Sequence, residues 1–166
     1  MFREMRRKKQ LLPENETMEI LEHGKTAVIA VAGDNDYPYA VPINYIYYNQ
    51  KIYFHCAKTG HKLDAIARNP KVSVAVVDKD DILQEKYTTV YRSVIAFGKA
   101  RLMDDENEMR RVVTAIAQKY CPDYQEGIPA EVEREFPALA MVEITIDHVT
   151  GKEGIELTRE RTREVK

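Results

Sequence analysis

The chain has 166 residues, 44% of them hydrophobic and 31% charged, with a formal net charge of −2. That is enough chain for one domain with a proper core, and the near-neutral balance argues against non-specific attachment to nucleic acid or anionic membrane. No apolar run approaches the roughly 18 residues of a spanning helix, and the opening MFREMRRKK lacks the apolar stretch of a signal peptide.

The first twelve residues are basic (Arg3, Arg6, Arg7, Lys8, Lys9) and read as a solvated arm, or as an arm lying over an anionic ligand. Pro13 to His23 reads as a helix with early glutamates and Gly24 at its C′ position. TAVIAVA, Thr26 to Ala32, is a nearly continuous β-branched run, hence a strand buried on both faces or at its centre. Gly33-Asp34-Asn35-Asp36 is a turn.

Tyr37 to Tyr48, YPYAVPINYIYY, is the next strand, and Pro38 and Pro42 inside it mark an edge or a bulge. Asn44 shares the face of Pro42 because side chains alternate. Asn49-Gln50 turns the chain into Lys51 to Cys56, which makes Tyr37 to Cys56 a hairpin. The chain then breaks at Lys58-Thr59-Gly60 and resumes as a short helix ending at Asn69-Pro70.

Lys71 to Asp78 is a strand, Lys79 to Lys86 a charged loop, and Tyr87 to Leu102 a long strand whose Gly98 signals a bulge or a close backbone approach. Asp104 or Asp105 caps a helix from about Glu106 to Tyr120 with Met109, Val112, Val113, Ile116 and Tyr120 on one stripe. A short helix is expected at Ala130 to Glu135, a last strand over Ala138 to Gly151, and a loosely attached charged tail after Lys152. Six strands in hairpin-like succession favour a closed or split antiparallel barrel over a doubly wound sheet.

A strand feeding a helix through a glycine turn is an anion site, because the first helical N–H groups lack internal partners and the dipole is positive there. Thr59, Gly60, His61 and Lys62 stand at that turn. The P-loop pattern is absent: Lys62 falls one place late and His55 occupies the position of the first glycine. No G-x-G-x-x-G follows a strand. His55 and Cys56 are consecutive on a strand and face opposite ways, and no C-x-x-C or H-x-x-x-H exists, so no metal site is expected. Neither Cys56 nor a serine sits in a nucleophile motif. Two cysteines, Cys56 and Cys121, make no disulfide framework, so a reducing cytoplasm is the expected compartment. What remains is a kinked strand, a polar face at His55 and a phosphate cradle, which suits a planar phosphorylated cofactor that brings its own chemistry.

The blocks YPYAVPINY (Tyr37–Tyr45), IYFHCAKTGHKLDAI (Ile52–Ile66), NPKVS (Asn69–Ser73), YRSVIAFGKA (Tyr91–Ala100) and HVTGK (His148–Lys152) together resemble the nitroimidazole-resistance (Nim-like) branch of the pyridoxamine 5′-phosphate oxidase-like, FMN-binding split-barrel proteins. The resemblance implies a mainly β fold with flanking helices, a six-stranded split β-barrel. It implies one FMN-binding domain over residues 1–152 with a charged tail over 153–166, and a homodimer with FMN between the subunits. Carried over by position, Val41, Pro42, Ile43 and Asn44 pass along the flavin ring, with His55, Cys56 and Ala57 beside it. Thr59, Gly60, His61 and Lys62 hold the phosphate, and Tyr91 and Ser93 come from the partner subunit. Reductive or oxidative chemistry on a small molecule is the implied activity, with nitro-group reduction by electrons from NAD(P)H as the family label and His55 as proton donor; a non-catalytic flavin- or haem-binding carrier or sensor on the same barrel is the alternative. The basic residues that grip a substrate phosphate in the pyridoxamine phosphate oxidases proper have no identifiable counterpart. Arg92 is expected to face solvent.

Overall fold

The computed structural model describes residues 1–164, the side chain of Glu164 excepted. Its strands are β1 (Thr26–Ala32), β2 (Pro38–Asn44), β3 (Ile46–Tyr48), β4 (Lys51–Ala57), β5 (Lys71–Leu83), β6 (Thr88–Leu102) and β7 (Leu139–Glu153). The helices are α1 (Glu14–His23), α2 (His61–Arg68), α3 (Glu106–Tyr120), α4 (Ile128–Glu135) and α5 (Ile155–Glu164).

All strand pairs are antiparallel, in one seven-stranded sheet of order β2-β1-β5-β6-β7-β4-β3. The expected count of six is therefore corrected to seven. The extra strand arises because the run from Tyr37 to Tyr48 is cut at Tyr45: β2 pairs with β1 at one edge of the sheet, and β3 pairs with β4 at the other. The expected hairpin shrinks to β3 and β4, joined by Asn49 and Gln50, both at positive φ (48° and 63°) as a tight hairpin turn requires. One residue separates the two edge strands, so the sheet must curl until its edges meet at Tyr45.

Inward-facing residues fill the curled sheet. Ile29, Val74, Val94, Phe54 and Val142 share one cluster with Leu21 of α1 and Leu63 and Ile66 of α2. A second cluster lies on the other face of β4 and β7, where Tyr53 and Met141 pack under Val112, Val113 and Ile116 of α3 and Val132 of α4. Helix α3 runs over the expected residues, with the Asp105 carboxylate accepting from the Glu108 amide. Glu143 is buried beside this cluster and paired with Lys51 (2.9 Å) and Arg101 (2.8 Å). Burial works to raise its pKa, but hydrogen bonds from Arg101 and Lys51 outweigh it and hold the carboxyl below its ordinary value.

Among the described residues, part of the outer face is left open. Strand β1, expected to be buried, alternates instead, and Val28 is exposed. Two rows cross five strands in register there: Pro42, Val28, Ala75, Ile95, Thr150, and Ala40, Ala30, Ser73, Phe97, His148. Phe2 of the basic arm stacks on His148 (centroids 4.8 Å apart) and Phe97 (5.4 Å) at the end of the second row.

Several expectations are corrected. The segment Lys79–Leu83 continues β5 rather than looping, because β5 and β6 stay paired to Leu83 and Thr88 with a bulge after Val77. Gly24 is not left-handed; a Cβ there would meet the Tyr45 hydroxyl at 2.5 Å and Val76 at 2.7 Å. Arg92 does not face solvent but pairs with Glu16 of α1. The arm is anchored, with Gln10 buried and its side-chain amide donating to the Glu153 carbonyl (3.0 Å). The charged tail forms α5, where Arg161 pairs with buried Glu153 at 2.7 Å; Val165 and Lys166 lie outside the described residues. Gly98 fulfils both of its expectations: the β6–β7 register shifts after Phe97, and the Thr145 carbonyl oxygen occupies the space a Cβ would need.

The junction at Tyr45 is held by the end of α3. The Tyr45 amide donates to the Tyr120 hydroxyl (2.9 Å), and the Tyr45 hydroxyl donates to the Leu21 carbonyl (2.7 Å). A tyrosine hydroxyl has one proton, which Tyr120 directs to the carbonyl of Lys25 or of Tyr45. The Lys119 ammonium has three donors and finds three carbonyls, those of Glu22 (3.1 Å), Gly24 (2.6 Å) and Tyr45 (3.2 Å). Replacing Tyr120→Phe strands the Tyr45 amide and should lower unfolding free energy by about 1–3 kcal/mol in urea titration. A loss within error of zero would show that α3 does not hold the junction.

Candidate functional site

A cleft of about 900 Å³ opens where the helix-covered half of the sheet meets the open half. That volume lies within the range of cofactor sites. Its floor is β2 at Pro42, Ile43 and Asn44, and β4 at His55, Cys56 and Ala57, with Lys62 from the first turn of α2. These two strands lie at or next to opposite edges of the sheet order, and the curl at Tyr45 brings them together. The opposite wall is Val113, Ile116, Ala117 and Tyr120 of α3 with Glu131, Val132 and Glu135 of α4.

The cleft thus unites seven of the expected site residues. Pro42 and Asn44 share the exposed face of β2, as alternation requires, while Ile43 is buried. As an edge strand, β2 has backbone groups on its outer side with no strand partner. His55 is exposed, whereas Cys56 is half-buried and packs on the main core. Although part of the ring is open to solvent, the protein packed around it desolvates it, and this, followed by the nearby Lys62 charge, lowers the His55 pKa and favours the neutral ring. Burial raises the Cys56 thiol pKa against the opposing pull of Lys62, which leaves a protonated thiol and no nucleophile.

The remaining expected residues lie elsewhere. Val41 packs on the core side of β2. Thr59 and Gly60 are exposed at the start of α2, next to the cleft residue Lys62 in sequence. Gly60 sits at φ +141°, a conformation L side chains rarely adopt, with open space where a Cβ would be. The Gly60 carbonyl accepts from the Leu63 (2.9 Å) and Asp64 (3.2 Å) amides, so the helix itself supplies no partner for the amides before them. The His61 ring turns away: it stacks on Tyr39 (4.2 Å between centroids), with its Nε2 3.4 Å from Asp34. Only the His61 backbone is left for the turn. Tyr91 and Ser93 lie on β6, outside the cleft; Tyr91 lines a separate open depression with Ile82 and Tyr87.

Sequence reasoning missed the helical wall. The stripe on α3 was visible, but nothing in it distinguishes residues that seal a core from residues that end at a cleft. Among the described residues, no three His, Cys, Asp or Glu side chains are grouped to hold a metal, and no helix is long and apolar enough to cross a membrane.

Lys62→Ala should raise the His55 pKa, read from its imidazole proton shifts by NMR titration, because the neighbouring cation is removed. An unchanged or lower value would place the Lys62 charge away from His55.

The fold recurs in solved structures. A conserved hypothetical protein of Mycobacterium tuberculosis superposes with a TM-score of 0.78 at 18% identity, over 90% of each chain. A candidate 5-nitroimidazole antibiotic resistance protein of Bacteroides thetaiotaomicron does so with a TM-score of 0.71 at 20% identity, over 86% of each chain. An FAD- and haem-binding protein of Mycobacterium smegmatis gives 0.72 at 22% identity, over 88% of this chain and 73% of its own. No curated protein matches the sequence. The sequence profile named for pyridoxamine 5′-phosphate oxidase matches residues 13–153, and the chain belongs to that family.

Proposed function

We propose that the cleft binds FMN and that the protein is an FMN-dependent oxidoreductase passing electrons from NAD(P)H to a small acceptor such as a nitroaromatic compound. The observation that carries this reading is the convergence of Pro42, Ile43 and Asn44 with His55, Cys56, Ala57 and Lys62 in one cleft, although two edges of the sheet supply them. Proteins of the same fold that bind FAD, or FAD and haem, support a flavin.

The residues fit such a group. Lys62 and the free amides at the start of α2 would neutralise the phosphate, Thr59 would add a hydroxyl, and the open space at Gly60 would let the phosphate approach the backbone. The outer edge of β2 would offer backbone groups to a flat ring, and the apolar side chains of Val113, Ile116 and Ala117 would help to exclude water from the cleft. Neutral His55 orients a ligand by hydrogen bonding and relays a proton without carrying charge at rest. When bound, the flavin supplies hydride acceptance and electron release, which the protein's own side chains lack.

In this reading a second copy covers the open sheet face and contributes its own Tyr91 and Ser93. The support is the row through Val28, Ala75 and Ile95, which ends at the cleft residue Pro42, with Phe97 exposed in the row beside it. The flavin-binding unit spans residues 1–152 with α5 appended, and the free thiols of Cys56 and Cys121 suit a reducing cytoplasm. A second reading, a flavin- or haem-binding carrier or sensor without turnover, is favoured by the FAD- and haem-binding relative in fold.

Lys62→Ala separates phosphate binding from ring binding. It should weaken FMN by about tenfold or more while changing riboflavin affinity less than about twofold, since a charge-assisted contact contributes roughly 1.5–3 kcal/mol. Equal losses for both flavins, measured by quenching of flavin fluorescence, would refute the phosphate role.

A further inference from the structure

The charge inventory of the cleft bears on which substrates it admits. Lys62 is the one cation among its described lining residues, and Glu131 and Glu135 are its two anions. These carboxylates stand one turn apart on α4, with Arg134 between them reaching both at 2.6 Å and 3.1 Å. Arg134 does not line the cleft, and one guanidinium against two carboxylates leaves this wall with excess negative charge. The remainder of the helical wall is uncharged: Val113, Ile116, Ala117 and Val132 are apolar, and the Tyr120 hydroxyl is bonded at the Tyr45 junction.

Resting on the flavin reading above, we infer that the cleft selects flat, neutral or cationic substrates and rejects phosphorylated or carboxylated ones, with Glu131 and Glu135 as the discriminating residues. The flavin phosphate occupies the one available cation. An anionic substrate then finds no counter-charge among this chain's described lining residues and faces two carboxylates, whereas an uncharged ring loses nothing and a cationic one gains. The family's namesake substrate carries a phosphate group, and the inferred selection excludes it. The selection is electrostatic and partly exposed, so it weakens as salt rises.

The test uses the full chain loaded with FMN. Dissociation constants are read from flavin difference spectra for 4-nitrobenzyl alcohol, 4-nitrobenzylamine and 4-nitrobenzoate, which share a ring and differ in charge, and for pyridoxamine 5′-phosphate. At low salt the benzoate should bind about fivefold or more weakly than the alcohol, the amine at least as tightly, and the gap should shrink at high salt, as expected for charges at a solvated wall. The double variant Glu131→Gln, Glu135→Gln should bring the alcohol and the benzoate within about twofold at low salt. Benzoate binding as tightly as the alcohol, tight pyridoxamine 5′-phosphate binding, or an unchanged gap in the double variant would each overturn the inference. Flavin uptake is read first from the absorbance band: a chain that takes up no flavin removes the flavin reading itself, whereas equal affinities on a loaded chain strike only the selectivity.

Discussion

Everything in this structure depends on one residue where a strand changes partners. Tyr45 separates β2 from β3, and those two strands form opposite edges of the same sheet. A backbone break at such a point leaves polar groups that must be satisfied in a buried setting. The end of α3 satisfies them: Tyr120 and Lys119 bond the Tyr45 amide and carbonyl, and Lys119 also bonds carbonyls at the end of α1 and beyond. The helix that closes the junction is also the helix that walls the cleft, and Tyr120 belongs to both. Fold stability and cleft geometry are therefore coupled through the same side chain.

The coupling explains how residues far apart in the sheet order meet. Pro42 and Asn44 lie on one edge strand, and His55 lies on the strand next to the other edge. Curling brings them within one cleft, and Lys62 follows directly from the β4-to-α2 turn. Lys62 then has two electrostatic roles. It offers a cation at the start of α2, and it helps to keep His55 neutral. The cleft has no second cation among its described residues, which ties its selectivity to the single one it has.

Much of this was legible in the sequence where a local rule and the tertiary structure agree. The cap at Asp105, the α3 stripe and the bulge at Gly98 follow from local chemistry, and the structure keeps them. The glycine turn before α2 was legible for the same reason, since positive φ at a strand-to-helix turn is a property of the chain itself. The break at Tyr45 was not, because YPYAVPINYIYY is continuous in pattern and a change of pairing partner leaves no mark on alternation. The His61 ring could equally have faced the turn; Tyr39 and Asp34, brought near by the fold, claim it. The charged end of β5 read as a loop because paired strands that project into solvent have no buried face to enforce alternation.

The central claim is that this cleft holds a flavin able to accept electrons, and the most direct measurement is the visible absorbance spectrum of the purified chain after incubation with FMN and removal of excess. The account predicts a retained flavin band, bleached when NADH or NADPH is added without oxygen and restored by a nitroaromatic acceptor. A retained band that neither nucleotide bleaches would leave a carrier or sensor, and a colourless chain would contradict the account.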